Sequence, residues 1–116
     1  MRDVVIVDSV RTGLTKAFRG SFNLTRSDDM LAHCIDSLLD RNPNLSPDEV
    51  EDVVVGAATH AGEQDGNLAR LAVVLSKLPI TVAGVSINRF CSSGLQAIAI
   101  AANQIASGQT EVAIAG

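Results

Sequence analysis

Cys91 is the residue whose position best suits it for chemistry. It follows the β-branched run Val85-Ser86-Ile87 and the segment Asn88-Arg89-Phe90, and a long helix is expected to start on it. A helix N-terminus offers unpaired backbone N–H groups and the positive end of the helix dipole. Both favour thiolate over thiol, which makes the sulfur a nucleophile near neutral pH. The same N–H groups could hold the oxyanion that forms when a thiolate attacks a carbonyl. Position alone leaves a second reading open, in which Cys91 is an inert, small buried hydrophobe.

Other polar residues carry weaker signals. Cys34 falls on an apolar helical stripe, where core packing is the expected role. His33, off that stripe, is expected at the surface. His60 belongs to a loop with Glu63 and Gln64. There a solvated histidine is expected, against a place at the mouth of a site or in a subunit contact. Asn67 suits a helix N-cap, and Arg70 a first-turn side chain that pairs with an acid. Ser92 and Ser93 could satisfy first-turn N–H groups, while Gly94 leaves room for a close approach. Arg11, Lys16 and Arg19 read as solvated charge rather than a phosphate site. No CxxC and no Cys/His pair has metal-ligand spacing, so zinc is not expected.

The elements that must position these groups alternate between strand and helix. Asp3 to Val10 is a β-branched run, expected to be a buried strand, and Arg11 to Asn23 is a loop. Thr25-Arg26-Ser27-Asp28 has capping-box character, with Asp28 and Asp29 suited to a first turn. The helix after it carries the stripe Leu31, Cys34, Ile35, Leu38 and Leu39. Ser46-Pro47-Asp48-Glu49 starts a short turn, and Val53 to Gly56 is a strand. Thr59 to Gly66 is a loop, and Asn67 to Lys77 a helix that Pro79 ends. Val82 to Ile87 is a strand. Cys91 to Ser107 is a helix with Leu95, Ile98, Ala102 and Ile105 on one face, covered on most sides and stopped at Gly108. Val112 to Ala115 begins the last strand. The order predicts an α/β unit with a mostly parallel sheet.

Composition agrees with that class. The 116 residues are 47% hydrophobic and only 3% aromatic, so Val, Ile, Leu and Ala must build the core. Net charge is −4 and the positive charges are scattered, which argues against a nucleic-acid partner. Two cysteines make no disulfide framework, and a reducing compartment follows. No apolar run reaches membrane-spanning length, and no signal or transit pattern precedes the first strand, so a cytoplasmic location is expected. The apolar ending at Ala115-Gly116 reads as a chain cut short.

The motifs also carry a family resemblance. Asn88-Arg89-Phe90-Cys91-Ser92-Ser93-Gly94-Leu95-Gln96-Ala97-Ile98 resembles the acyl-enzyme cysteine motif of the thiolases. Val4-Val5-Ile6-Val7-Asp8-Ser9-Val10-Arg11-Thr12 is similar to that family's opening strand and Arg-Thr turn. Glu63-Gln64-Asp65-Gly66-Asn67-Leu68-Ala69-Arg70 is similar to its Gln-x-x-Asn-x-Ala-Arg segment. Ala106-Ser107-Gly108 with Val112-Ala113-Ile114-Ala115-Gly116 is similar to its helix end and next strand. These matches are collinear and span nearly all of the chain.

The resemblance implies the first part of a layered, thiolase-like N-terminal domain over residues 1–116. It implies an acyltransferase in which the Cys91 thiolate attacks the keto carbon of a 3-ketoacyl-CoA, releases acetyl-CoA and holds the acyl group as a thioester. Coenzyme A is then a substrate, with no separate cofactor and no metal. The Glu63-Gln64-x-x-Asn67 spelling favours the degradative type that serves fatty-acid β-oxidation. The biosynthetic acetoacetyl-CoA type and a ketoacyl synthase remain as alternatives. Implied partners are a second copy, as homodimer or homotetramer, and a hydratase/dehydrogenase. Asn67 and Arg70 would lie near the dimer interface. The family's Gly-His-Pro-like and Cys-x-Gly-Gly motifs, which supply acid and base, are absent here, and neither His33, His60 nor Cys34 matches them. The free 116-residue polypeptide is therefore expected to be inactive, and a non-catalytic module is the rival reading.

Overall fold

A computed structural model describes residues 1–116. Its elements are α1 (Ser27–Arg41), β1 (Asp52–Gly56), α2 (Leu68–Leu75), β2 (Ala83–Ile87), α3 (Ser93–Ala106) and β3 (Ala113–Ala115), with 3-10 turns at Pro47–Glu49, Gly62–Gln64 and Phe90–Ser92. The strands form one parallel sheet in the order β2-β1-β3. Val54 stands opposite Val85 on one side and Ala115 on the other. The expected α/β class is what the chain adopts, with every pairing parallel.

Side-chain alternation along β1 sorts the layers. Val53 and Val55 point to the face covered by α1 and α2, where they join Ile35, Leu39, Ala69, Ala72 and Val73 in the main core. Val54 points to the opposite face and meets Ala97 and Ala101 of α3. The α1 stripe packs as expected at Ile35 and Leu39, with Leu31, Cys34 and Leu38 half-buried and His33 exposed.

α3 buries a different face from the expected one. Ser93, Ala97 and Ala101 are its buried residues, whereas Leu95 is 73% and Ile98 40% exposed. Small side chains let the helix axis come close to the sheet, and the larger residues turn outward. The close approach expected at Gly94 lies instead at Gly56, at the end of β1. A Cβ there would fall 2.2 Å from the Ser93 carbonyl carbon. α3 stops as expected, with Gly108 at a left-handed φ of 79° just past the helix.

The first segment departs most from expectation. Val5, Ile6 and Val7 are exposed, and residues 3–10 form no strand. A strand is defined by its ladder, and no strand of the sheet lies beside this run to supply one. It is held at isolated points instead. The Arg2 N–H donates to the Ala106 carbonyl at 3.1 Å, Arg2 pairs with Glu111, and Asp8 accepts from Arg41 and Asn42 at the end of α1. The α2 helix ends at Leu75, earlier than expected, because the Ser76 N–H bonds back to Val73.

Candidate active site

β2 delivers the chain to the cysteine. After Ile87, one 3-10 turn spans Phe90–Ser92, and α3 begins at Ser93. The expected helix start on Cys91 is thus corrected: the cysteine sits in the tight turn that leads into the helix. The cause is Phe90, whose φ of 48° is left-handed and cannot continue a right-handed helix. A left-handed non-glycine residue costs about 1–3 kcal/mol and persists only where its surroundings fix it. Cys91 is a free, exposed cysteine.

Several contacts hold this turn. Ser93 is 3% exposed, and its hydroxyl donates to the Phe90 carbonyl at 2.6 Å while accepting from the Arg89 N–H at 2.9 Å. Ser93 was expected to cap a first-turn N–H; it ties down the residues before the turn instead, and Ser92 makes no cap bond. The Asn88 amide oxygen accepts from the Phe90 N–H at 2.8 Å, and its NH₂ group donates to the Ala58 carbonyl at 3.3 Å. Arg89 donates to Gln96 one turn into α3, at 2.6 Å.

His60 is not the solvated loop histidine that the sequence suggested. It is half-buried, and its Nε2 lies 2.9 Å from the Ala57 carbonyl and 3.3 Å from the Ile87 carbonyl. Two acceptors there require the proton on Nε2. The ring clips the ends of β1 and β2 together just before the Cys91 turn. The Ile87 carbonyl also accepts from the Ala57 N–H at 3.1 Å, so the imidazole adds a second donor where the two strands end.

Asn67 caps α2 as expected, accepting from the Arg70 N–H at 3.1 Å. It also accepts from the Ser86 hydroxyl and donates to the Gly84 carbonyl, which locks α2 onto β2. Arg70 was expected to pair with an acid; it donates to the Val82 carbonyl at 2.7 Å, because α2 lies against the start of β2. The Ser86 hydroxyl also takes the Ala69 N–H.

The N-terminus of α1 is capped from outside its own sequence. Arg26 is the N-cap residue and makes no side-chain cap bond; Glu63 accepts from the Ser27 N–H at 2.6 Å. This corrects the local capping box. Asp28 is 2% exposed and takes a two-pronged bond from Arg26, at 3.0 and 2.8 Å. That guanidinium holds the Asp28 carboxyl below the usual range despite burial. The Ser27 backbone N–H does the same for Glu63. Serine next to aspartate reads as a cap from the sequence; burial of Asp28 had no local signal.

The remaining candidates lie elsewhere. Cys34 is half-buried on α1, across the sheet from α3, and lines an apolar groove of about 340 Å³ with Met30, Leu31, Leu38 and Ile114. Arg11, Lys16 and Arg19 are exposed. No helix is long and apolar enough to cross a membrane.

Comparison with known proteins adds to this geometry. Residues 4–116 match the family model described as thiolase, N-terminal domain. The chain is 44% identical over 116 residues to a beta-ketoadipyl-CoA thiolase of Pseudomonas putida, covering 100% of the chain and 29% of that protein. It is 40% identical over 116 residues to a 3-ketoacyl-CoA thiolase of Pseudoalteromonas atlantica, covering 100% of the chain and 30% of that protein. A 3-ketoacyl-CoA thiolase of Aeromonas salmonicida is 41% identical over the same length, with 30% of it covered. The chain therefore spans less than a third of the relatives it matches.

Proposed function

The chain belongs to the thiolase family, and on that premise we propose that Cys91 is the acyl-accepting nucleophile of a 3-ketoacyl-CoA thiolase. The carrying observation is the exposed sulfur on a left-handed turn where a strand hands over to α3. In this reading the thiolate attacks the C3 keto carbon. The C2–C3 bond breaks, its electron pair stays on C2 as the enolate of acetyl-CoA, and a proton donor quenches it. The acyl group remains on sulfur as a thioester until the thiolate of a second CoA takes it. Two half-reactions give ping-pong kinetics. His60 is engaged with two carbonyls and His33 lies on the exposed side of α1, so neither serves as the proton donor in this reading.

The substrate class is a 3-ketoacyl-CoA, in keeping with the names of the relatives, and the proposed direction is degradative, serving β-oxidation, which the Glu63-Gln64-x-x-Asn67 spelling favours. A homo-oligomer in the cytoplasm completes the proposal. The test is intact mass spectrometry of the natively expressed protein, not of the isolated 116-residue polypeptide, after brief exposure to acetyl-CoA. One acetyl group that maps to Cys91 and leaves on addition of CoA supports the reading. A natively expressed protein that stays unmodified, or acetyl spread equally over Cys34 and Cys91, overturns it.

A further inference from the structure

Phe90 immediately precedes Cys91, and both of its backbone polar groups are engaged by side chains, the carbonyl also by the Ser93 backbone N–H of the 3-10 turn. Its N–H donates to the Asn88 amide oxygen at 2.8 Å, and its carbonyl accepts from the Ser93 hydroxyl at 2.6 Å. Neither bond belongs to a strand ladder or to the body of α3. The left-handed φ of 48° at Phe90 is unfavourable for a bulky residue, so it must be imposed. Phe90 itself is 74% exposed, so ring packing does not impose it. The clamp is anchored on both sides. Asn88 reaches the Ala58 carbonyl beyond β1, and its two opposite contacts fix which end of the amide carries oxygen. Ser93 is buried against the bare Cα of Gly56.

We infer that Asn88 and Ser93 are positioning residues, which together hold Phe90 left-handed so that the Cys91 sulfur faces an incoming thioester. This rests on the proposed role of Cys91, and it adds residues that act through the backbone without touching substrate. A displacement of about 1 Å at a reacting atom is enough to cost on the order of a hundredfold in rate.

The experiment compares Asn88→Ala, Asn88→Asp and Ser93→Ala in the natively expressed protein rather than in the isolated 116-residue polypeptide. Acetylation of Cys91 is followed over a range of acetyl-CoA concentrations, and iodoacetamide labelling of Cys91 is followed with Cys34 as the internal reference. Asn88→Ala and Ser93→Ala are expected to slow acetylation at saturation by about 10- to 100-fold, with the half-saturating concentration unchanged. Asn88→Asp keeps the acceptor for the Phe90 N–H and is expected to recover most of the rate. Asn88 is exposed, so its variants report even if Ser93→Ala fails to fold. Wild-type rates in Asn88→Ala, or no recovery in Asn88→Asp, would overturn the inference. If the unaltered protein is not acetylated at all, the proposed function fails. The clamp then stands or falls on the Cys91-to-Cys34 labelling ratio, which must change in Asn88→Ala and return in Asn88→Asp.

Discussion

Neighbouring valines on β1 meet unlike surroundings. Val53 and Val54 are both fully buried, yet Val53 belongs to a core of 12 buried residues and Val54 to one of 3. The α1/α2 face is a deep layer of branched aliphatics. The α3 face is thin, closed by alanines and by the approach of Ser93 to Gly56, and its outer side carries exposed Leu95 and Ile98. The candidate nucleophile belongs to the thin face. Bulk burial holds the first face, while on the second a few hydrogen bonds and one steric contact fix the geometry. Stability and site geometry are thus separable in this molecule, and substitutions should divide along the same line.

The largest effect is expected on the deep face. Ile35→Ala should lose about 2–5 kcal/mol of stability in denaturant unfolding, because it opens a cavity among side chains that cannot collapse freely. A loss below about 1 kcal/mol would show that this face is not the dominant core. Gly56→Ala comes next, at about 1–3 kcal/mol, since its Cβ would overlap backbone rather than a flexible side chain. It should also change the labelling rate of Cys91 while leaving that of Cys34 alone; an unchanged Cys91 rate would break the link between the close approach and the site.

Asn67→Ala should cost about 1 kcal/mol, the usual loss of a helix cap, and the unfolding midpoint reads it directly. Acid should weaken the junction between α1 and the Gly62–Gln64 turn. Asp28 and Glu63 both have lowered pKa values, so their contribution is complete at neutral pH and is lost as the pH falls below about 4, through the folded-state values. Asp28→Asn with Glu63→Gln should flatten the acid side of the stability curve; an unchanged slope would exclude these carboxylates as its source. The smallest effect is expected at Leu95→Ala, within about 0.5 kcal/mol, because that side chain has no packing to lose. A larger loss would mean that the outer side of α3 is covered in solution.

Much of this organisation is legible residue by residue. The stripe on α1 follows from helical spacing, the Asn67 cap from a polar residue before an apolar run, and the strands at β1 and β2 from valine and isoleucine runs bounded by glycine or polar loops. The place of Cys91 between β2 and α3 is legible because its motif is local. The errors share one cause. The Asp3–Val10 run has strand composition but no neighbour for its ladder, Arg70 found a carbonyl instead of an acid, and α1 is capped by Glu63 from a distant turn. His60 likewise bonds across to Ile87.

The sequence by itself determined the helices α1 to α3, the strands β1 to β3, and which thiol sits at the junction of β2 and α3, because periodicity and turn chemistry act over a few residues. The tertiary structure alone decided which face of α3 is buried, that Phe90 is left-handed, and which side chains hold it there. Those outcomes depend on how closely two backbones approach and on which unpaired donors and acceptors meet. Such contacts join residues far apart in the chain, as Gly56 and Ser93 are, and no local spacing encodes them.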